Sequence, residues 1–118
     1  MATSSGSDYV PERGDIIWLS FDPQAGHEQA GRRPAVVISP SIYNRGSALA
    51  VVVPITSHAS GYPFEVPLPS GVRVRGVVLT DHLKSVDWRA RRAELVGRLP
   101  GATVDAILRK ALLLITGW

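Results

Sequence analysis

The sequence predicts a mainly β fold with α: a small, strongly bent β-barrel with one C-terminal helix packed on it. Three observations predict it. Roughly five or six short apolar segments follow one another between Gly, Pro, Ser and Asp breaks, as strands do. The final segment carries its apolar residues at helical spacing instead. No strand–helix–strand alternation is present, which argues against a dinucleotide-binding fold.

The elements follow in order. Residues 1–8 read as a frayed leader and 9–118 as a single domain. Residues 15–21, with Ile16, Ile17, Trp18 and Leu19, form an apolar first strand ended by Asp22-Pro23. Residues 24–33 are polar and Gly-containing, too long for a tight hairpin, and read as a working loop. Pro34 opens a second strand over 35–38, stopped by Ser39-Pro40. Residues 41–47 make a short connector with one helical turn. Residues 49–53 form a buried strand that Pro54 is expected to end. Residues 64–68, between Pro63 and Pro67, suit an edge strand. Residues 72–79 alternate apolar and basic through Arg73 and Arg75 and continue as a strand past Gly76. Arg89 to Arg92 is an exposed charge cluster. Thr103 is the expected N-cap of a helix carrying Val104, Ile107, Leu108, Ala111, Leu112 and Ile115, with Gly117 as its stop.

Composition bounds the chemistry. A chain of 118 residues, 45% hydrophobic and 19% charged, is one globular domain rather than a disordered tail. Cysteine is absent, which excludes disulfides, thiolate zinc sites and cysteine nucleophiles and fits a reducing compartment. The longest apolar run, residues 48–55, contains Pro54 and falls far short of the roughly 20 residues of a membrane span. With no apolar signal region at residues 1–8, a soluble, cytoplasmic protein is expected.

Net charge is +3, and it is uneven. Residues 1–59 hold four basic and five acidic groups, residues 60–118 nine basic and five acidic. Eleven of the thirteen basic residues are arginine, which forks onto phosphate and stacks on bases better than lysine. A polyanionic partner fits this balance, and a solvated basic surface fits it as well. No P-loop, G-x-S-x-G elbow or H-E-x-x-H is present, and the three histidines, His27, His58 and His82, are isolated. No metal and no cofactor are expected.

Three segments carry candidate chemistry. Gly26 to Pro34 puts Glu28 and Arg33 five residues apart on a Gly-flanked loop entering a buried strand, which suits phosphate chemistry; a structural Glu–Arg pair on a solvated loop reads equally well. Pro54-Ile55-Thr56-Ser57 places hydroxyls where a buried strand emerges, to hold a phosphate oxygen or to cap a turn. Thr80 to Arg89 again follows an apolar run. Trp18 and Trp88 read as core rather than as base-stacking platforms.

These residues resemble the MazF/PemK toxin family of type II toxin–antitoxin systems. The likeness is carried by Gly14-Asp15-Ile16-Ile17-Trp18, Phe21-Asp22-Pro23, Glu28-Gln29-Ala30-Gly31, Arg33-Pro34-Ala35-Val36-Val37, Gly61-Tyr62-Pro63-Phe64-Glu65-Val66 and Lys84-Ser85-Val86-Asp87-Trp88-Arg89-Ala90-Arg91. It runs in order from Tyr9 to Gly117. The resemblance implies an SH3-like β-barrel of the CcdB/PemK kind with a C-terminal helix, working as a homodimer. It also implies a metal-independent endoribonuclease that cuts single-stranded RNA at short sequences and is restrained by a cognate acidic, MazE-like antitoxin. By resemblance Arg33 stabilises the phosphorane, Thr56 orients the phosphate, and Glu28 is a base or the organiser of Arg33, the organiser role being preferred. Arg32, Ser57, His58, Tyr62, Arg73, Arg75, His82, Lys84, Arg89 and Arg91 are the RNA-binding candidates. At His82 the chain departs from the family pattern of a Gln after the Asp; it adds a titrating group or keeps one hydrogen bond. The competing reading is a CcdB-like gyrase poison without nuclease activity, to which the Ile115-Thr116-Gly117-Trp118 ending is loosely similar.

Overall fold

A computed structural model describes residues 8–21 and 31–117. The expected leader, residues 1–8, lies almost wholly outside them, as do Glu28, His27 and Trp118. The described chain runs β1 (Asp15–Ser20), β2 (Arg32–Val37), α1 (Ser41–Ser47), β3 (Leu49–Thr56), β4 (Glu65–Pro67), β5 (Val77–Leu79), β6 (Lys84–Asp87), β7 (Glu94–Arg98) and α2 (Gly101–Thr116).

All ladders are antiparallel, in the order β4-β5-β3-β2-β1-β7, with β6 also on β3. The two ends, β4 and β7, are not paired with each other, so the barrel is an open, forked sheet. The fork is at β3. Its first half pairs with β6 over Leu49–Val52, its last two residues pair with β5, and Val53 and Pro54 fill the gap between. Pro54 therefore does not end the strand as expected. It sits where that edge of β3 has no ladder to lose, the position a residue without an N–H tolerates.

Both faces of the sheet are covered, which explains why β1 to β3 read as nearly unbroken apolar runs. Ile16, Val36, Val53 and Ile55 on one face pack with Ile107 and Ala111 of α2. Ile17, Leu19, Ala35, Val37 and Val52 on the other pack with Val86 and Trp88. Most are fully buried, and each such aliphatic side chain contributes about 1.5–3 kcal/mol. Trp88 is core, 4% exposed, and its indole N–H donates to the Asn44 carbonyl at 3.0 Å. Asn44, buried in α1, donates in turn to the Pro11 and Ser39 carbonyls. These bonds are what α1 supplies, and it is a full helix of seven residues rather than one turn.

Three further expectations change. The strand expected over 72–79 forms only at Val77–Leu79, leaving Arg73 and Arg75 on an irregular, exposed segment. Gly76 at φ +126° breaks it, because a Cβ there would lie 2.1 Å from the Thr56 carbonyl oxygen. Strands β6 and β7 form where charged residues masked the pattern. Finally, α2 begins at Gly101 behind Pro100, so Thr103 lies inside the first turn and does not cap it.

Candidate active site

The strand registers assemble the site. Arg33 on β2 is paired with Leu19 of β1, and Ala35 is paired with Pro54 of β3. Continuing that register by two residues on each strand sets Arg33 opposite Thr56. Because side chains alternate along a strand, Arg33 shares the face of Ala35, and Thr56 that of Val52 and Pro54. Two residues 23 positions apart in sequence thus reach one sheet surface, each at the end of a buried strand. Arg33 is exposed and makes no hydrogen bond or ion pair among the described residues; Thr56 is half-buried. The backbone N–H of His58 donates to Thr56 Oγ1 at 3.2 Å, so the hydroxyl caps the turn and keeps its proton to give. The Phe21 N–H donates to the Gly31 carbonyl at 2.8 Å and closes the end of the β1–β2 ladder; Glu28 lies outside the described residues.

Arg32 is committed elsewhere. Its guanidinium donates to Ser20 Oγ at 2.6 Å, to the Arg92 carbonyl at 2.8 Å and to Glu94 Oε1 at 3.1 Å. It ties β1 and β2 to the turn before β7. Two clefts flank it, and Arg32 and Arg92 line both. One, about 590 Å³, includes Phe21, Gly31 and Arg91; the other, about 910 Å³, includes Tyr9, Trp88 and Arg89. Neither is lined by Arg33 or Thr56.

The remaining candidates divide into groups. Lys84 and Arg91 both lie 5.4 Å from the Phe21 ring, and Arg89 lies 5.0 Å from the Trp88 ring, a cation–π spacing that orients the cations without consuming their charge. Arg73 and Arg75 are exposed and not brought to this group by any described contact. His82 is exposed on the turn between β5 and β6, with Nε2 3.7 Å from Asp81 Oδ1. No described contact joins it to Arg33 or Thr56. Ser57, His58 and Tyr62 lie on the exposed segment that directly follows Thr56.

That segment is held by Glu65, Thr80 and Lys110, to none of which the sequence assigns a role. The Glu65 carboxylate accepts from Ser60 Oγ at 2.8 Å, from the Ser60 N–H at 3.1 Å and from the Gly61 N–H at 3.1 Å. The Ser60 hydroxyl and backbone donors hold its pKa below the usual carboxylate value. Thr80, fully buried, donates its hydroxyl to the Phe64 carbonyl at 2.6 Å. Lys110 of α2 donates to the Pro63 carbonyl. A hydrogen bond to Asp81 pushes the Tyr62 phenol above its ordinary pKa. Glu65 lies in the Gly61-to-Val66 motif and Thr80 and Asp81 in the Thr80-to-Arg89 segment, which mark the positions without assigning roles, and Lys110 carries no sequence signal.

The description "PemK-like, MazF-like toxin of type II toxin-antitoxin system" matches residues 12–115. The chain belongs to this family. The toxin is 49% identical to the endoribonuclease toxin MazF of Escherichia coli K12 over 109 residues, covering 92% of this chain and 97% of that one. It is 38% identical to the endoribonuclease PemK of Escherichia coli, over 89% of this chain and 82% of that one. A crystal structure of MazF from Deinococcus radiodurans superposes with a TM-score of 0.82 at 51% identity, covering 92% and 99% of the two chains. A MazE–MazF crystal structure from the same organism superposes at 0.81 with 44% identity, covering 93% and 98%. These matches favour the nuclease over the gyrase-poison reading of the toxin. Among its described residues no group of three or more His, Asp or Glu is placed to hold a metal, and no helix is long and apolar enough to cross a membrane.

Proposed function

We propose that this endoribonuclease toxin cuts single-stranded RNA with the substrate's own 2′-hydroxyl as nucleophile and Arg33 as the charge that stabilises the phosphorane. The observation that carries the reading is the shared register of Arg33 and Thr56. The 2′-hydroxyl gives up its proton to water and its oxygen forms a bond to phosphorus as the bond to the 5′-oxygen breaks, and the departing 5′-oxygen takes a proton from water. The products are a 2′,3′-cyclic phosphate and a 5′-hydroxyl. A fixed guanidinium beside the phosphate stabilises the charge that develops on the equatorial oxygens. It stays protonated at ordinary pH, so it is an electrostatic group rather than a proton donor. The Thr56 hydroxyl donates to a phosphate oxygen, its acceptor side being taken by the His58 N–H. Glu28, on the loop that leaves the Arg33 hairpin, organises the guanidinium. The positive charge comes from the protein, so the reaction needs no metal.

RNA is gripped by the basic surface of Lys84, Arg89 and Arg91, and Arg32 shapes the clefts through its bonds to Ser20 and Glu94. A second copy of the chain covers the exposed apolar end of α2, Leu112 to Ile115, giving a homodimer. An acidic antitoxin segment occupies the same basic surface and blocks RNA, in the cytoplasm where both are made. The experiment is digestion of a defined RNA in excess EDTA with analysis of the ends. Cyclic phosphate and 5′-hydroxyl ends are expected; a magnesium requirement or 5′-phosphate ends would contradict the mechanism.

A further inference from the structure

The segment between β3 and β4 is exposed from Ser57 to Pro63, yet it is held from three directions. The Glu65 carboxylate grips the backbone of Ser60 and Gly61, and the Glu65 N–H returns to the Tyr62 carbonyl at 3.0 Å. Thr80 gives both its N–H and its hydroxyl to the Phe64 carbonyl, and Lys110 reaches the Pro63 carbonyl. An exposed loop with no buried apolar side chain gains no core energy from this ordering. What the ordering fixes is Tyr62. Tyr62 is 47% exposed, and its ring lies 5.9 Å from the Phe64 ring. The loop leaves the sheet one residue after Thr56, which puts it beside the place where an RNA held by Thr56 would lie.

We propose that Glu65 is the positioning residue for sequence preference: it locks the Ser60–Gly61 backbone so that Tyr62 stands as a rigid platform for the base beside the cut. Glu65 acts through the loop and touches no substrate. The inference rests on the reading of this chain as an RNA-cutting toxin and names the part of the site that reads bases. Every base offers a π-face, so stacking alone discriminates modestly, through differences in stacking strength, and a ring held in one place keeps that difference where a loose one averages it out.

The test sequences the ends produced by wild type, Glu65→Ala, Glu65→Gln and Tyr62→Ala on one mixed long RNA. The ratio of cutting at preferred sites to cutting at sites differing by one base should fall about tenfold in Glu65→Ala and Tyr62→Ala. It should fall less in Glu65→Gln, which keeps one acceptor oxygen. Amide exchange at Ser60 and Gly61 should speed up in both Glu65 variants and not in Tyr62→Ala. A uniform loss of cutting with the ratio unchanged would overturn the proposal, and so would unchanged ratios in folded variants. Should Glu65→Ala fail to fold, Tyr62→Ala carries the test, since its exposed ring leaves the core intact. Failure of wild type to cut any RNA would defeat the functional reading instead, and is read separately.

Discussion

Arg33, Thr56 and Gly76 show how few residues define the reacting surface. Arg33 is exposed and uncommitted among the described residues, whereas Arg32 beside it spends its donors on Ser20, Arg92 and Glu94. Adjacent arginines thus have opposite duties, which the sequence does not distinguish, because alternation along β2 sends them to opposite faces. Gly76 is the residue that lets β5 pass the end of β3. Gly76→Ala should force the Thr56 backbone aside, lowering stability by about 1–3 kcal/mol, read by denaturant unfolding. It should also slow RNA cutting about a hundredfold through misplacement of Thr56. A folded variant that cuts at the wild-type rate would show that Thr56 is not held by this contact. His82 is exposed and lies beside Asp81 rather than Arg33. His82→Gln should therefore keep the cutting rate, checked on one short RNA. A loss of about tenfold or more in a folded variant would make His82 catalytic.

At the scale of elements, the apolar strands β1 to β3 and the proline-flanked edge strand β4 were legible, whereas β6 and β7 were not. β1, β2 and the start of β3 announce themselves because both faces bury aliphatic side chains. β6 and β7 bury little of their length, and charges at Lys84, Asp87, Glu94 and Arg98 interrupt the apolar signal. Pro54 misled for a related reason: a proline ends a strand paired on both sides, but here the far side of β3 is empty at that point. Arg73 and Arg75 misled in the opposite sense, since an alternating pattern before Gly76 resembles a strand that the Gly76 approach to Thr56 forbids. The site was legible as segments, because motif order fixes which strand ends carry Arg33 and Thr56. The braces on the β3–β4 loop were not, because Glu65, Thr80, Asp81 and Lys110 meet there only after the sheet and α2 have packed. Glu28 lies outside the described residues.

For the whole molecule, charge is the property that connects site and partner. Nine of the thirteen basic residues fall after residue 59, and Lys84, Arg89 and Arg91 among them gather near the clefts beside Arg32. An acidic antitoxin segment approaching this surface gains long-range attraction. Its association rate with the toxin should therefore fall about tenfold or more between low and high salt. Stopped-flow mixing at two ionic strengths measures this, and a rate indifferent to salt would contradict charge steering. End analysis of a defined RNA cut in excess EDTA by wild type, Arg33→Ala and Thr56→Ala tests whether the β2–β3 register brings Arg33 and Thr56 to one phosphate. Cyclic-phosphate and 5′-hydroxyl ends are expected from wild type. Rates should be lower by about a hundredfold or more in each variant, with the unfolding midpoint unchanged, as for loss of one group that stabilises transition-state charge. Near-wild-type cutting by Arg33→Ala would contradict that placement.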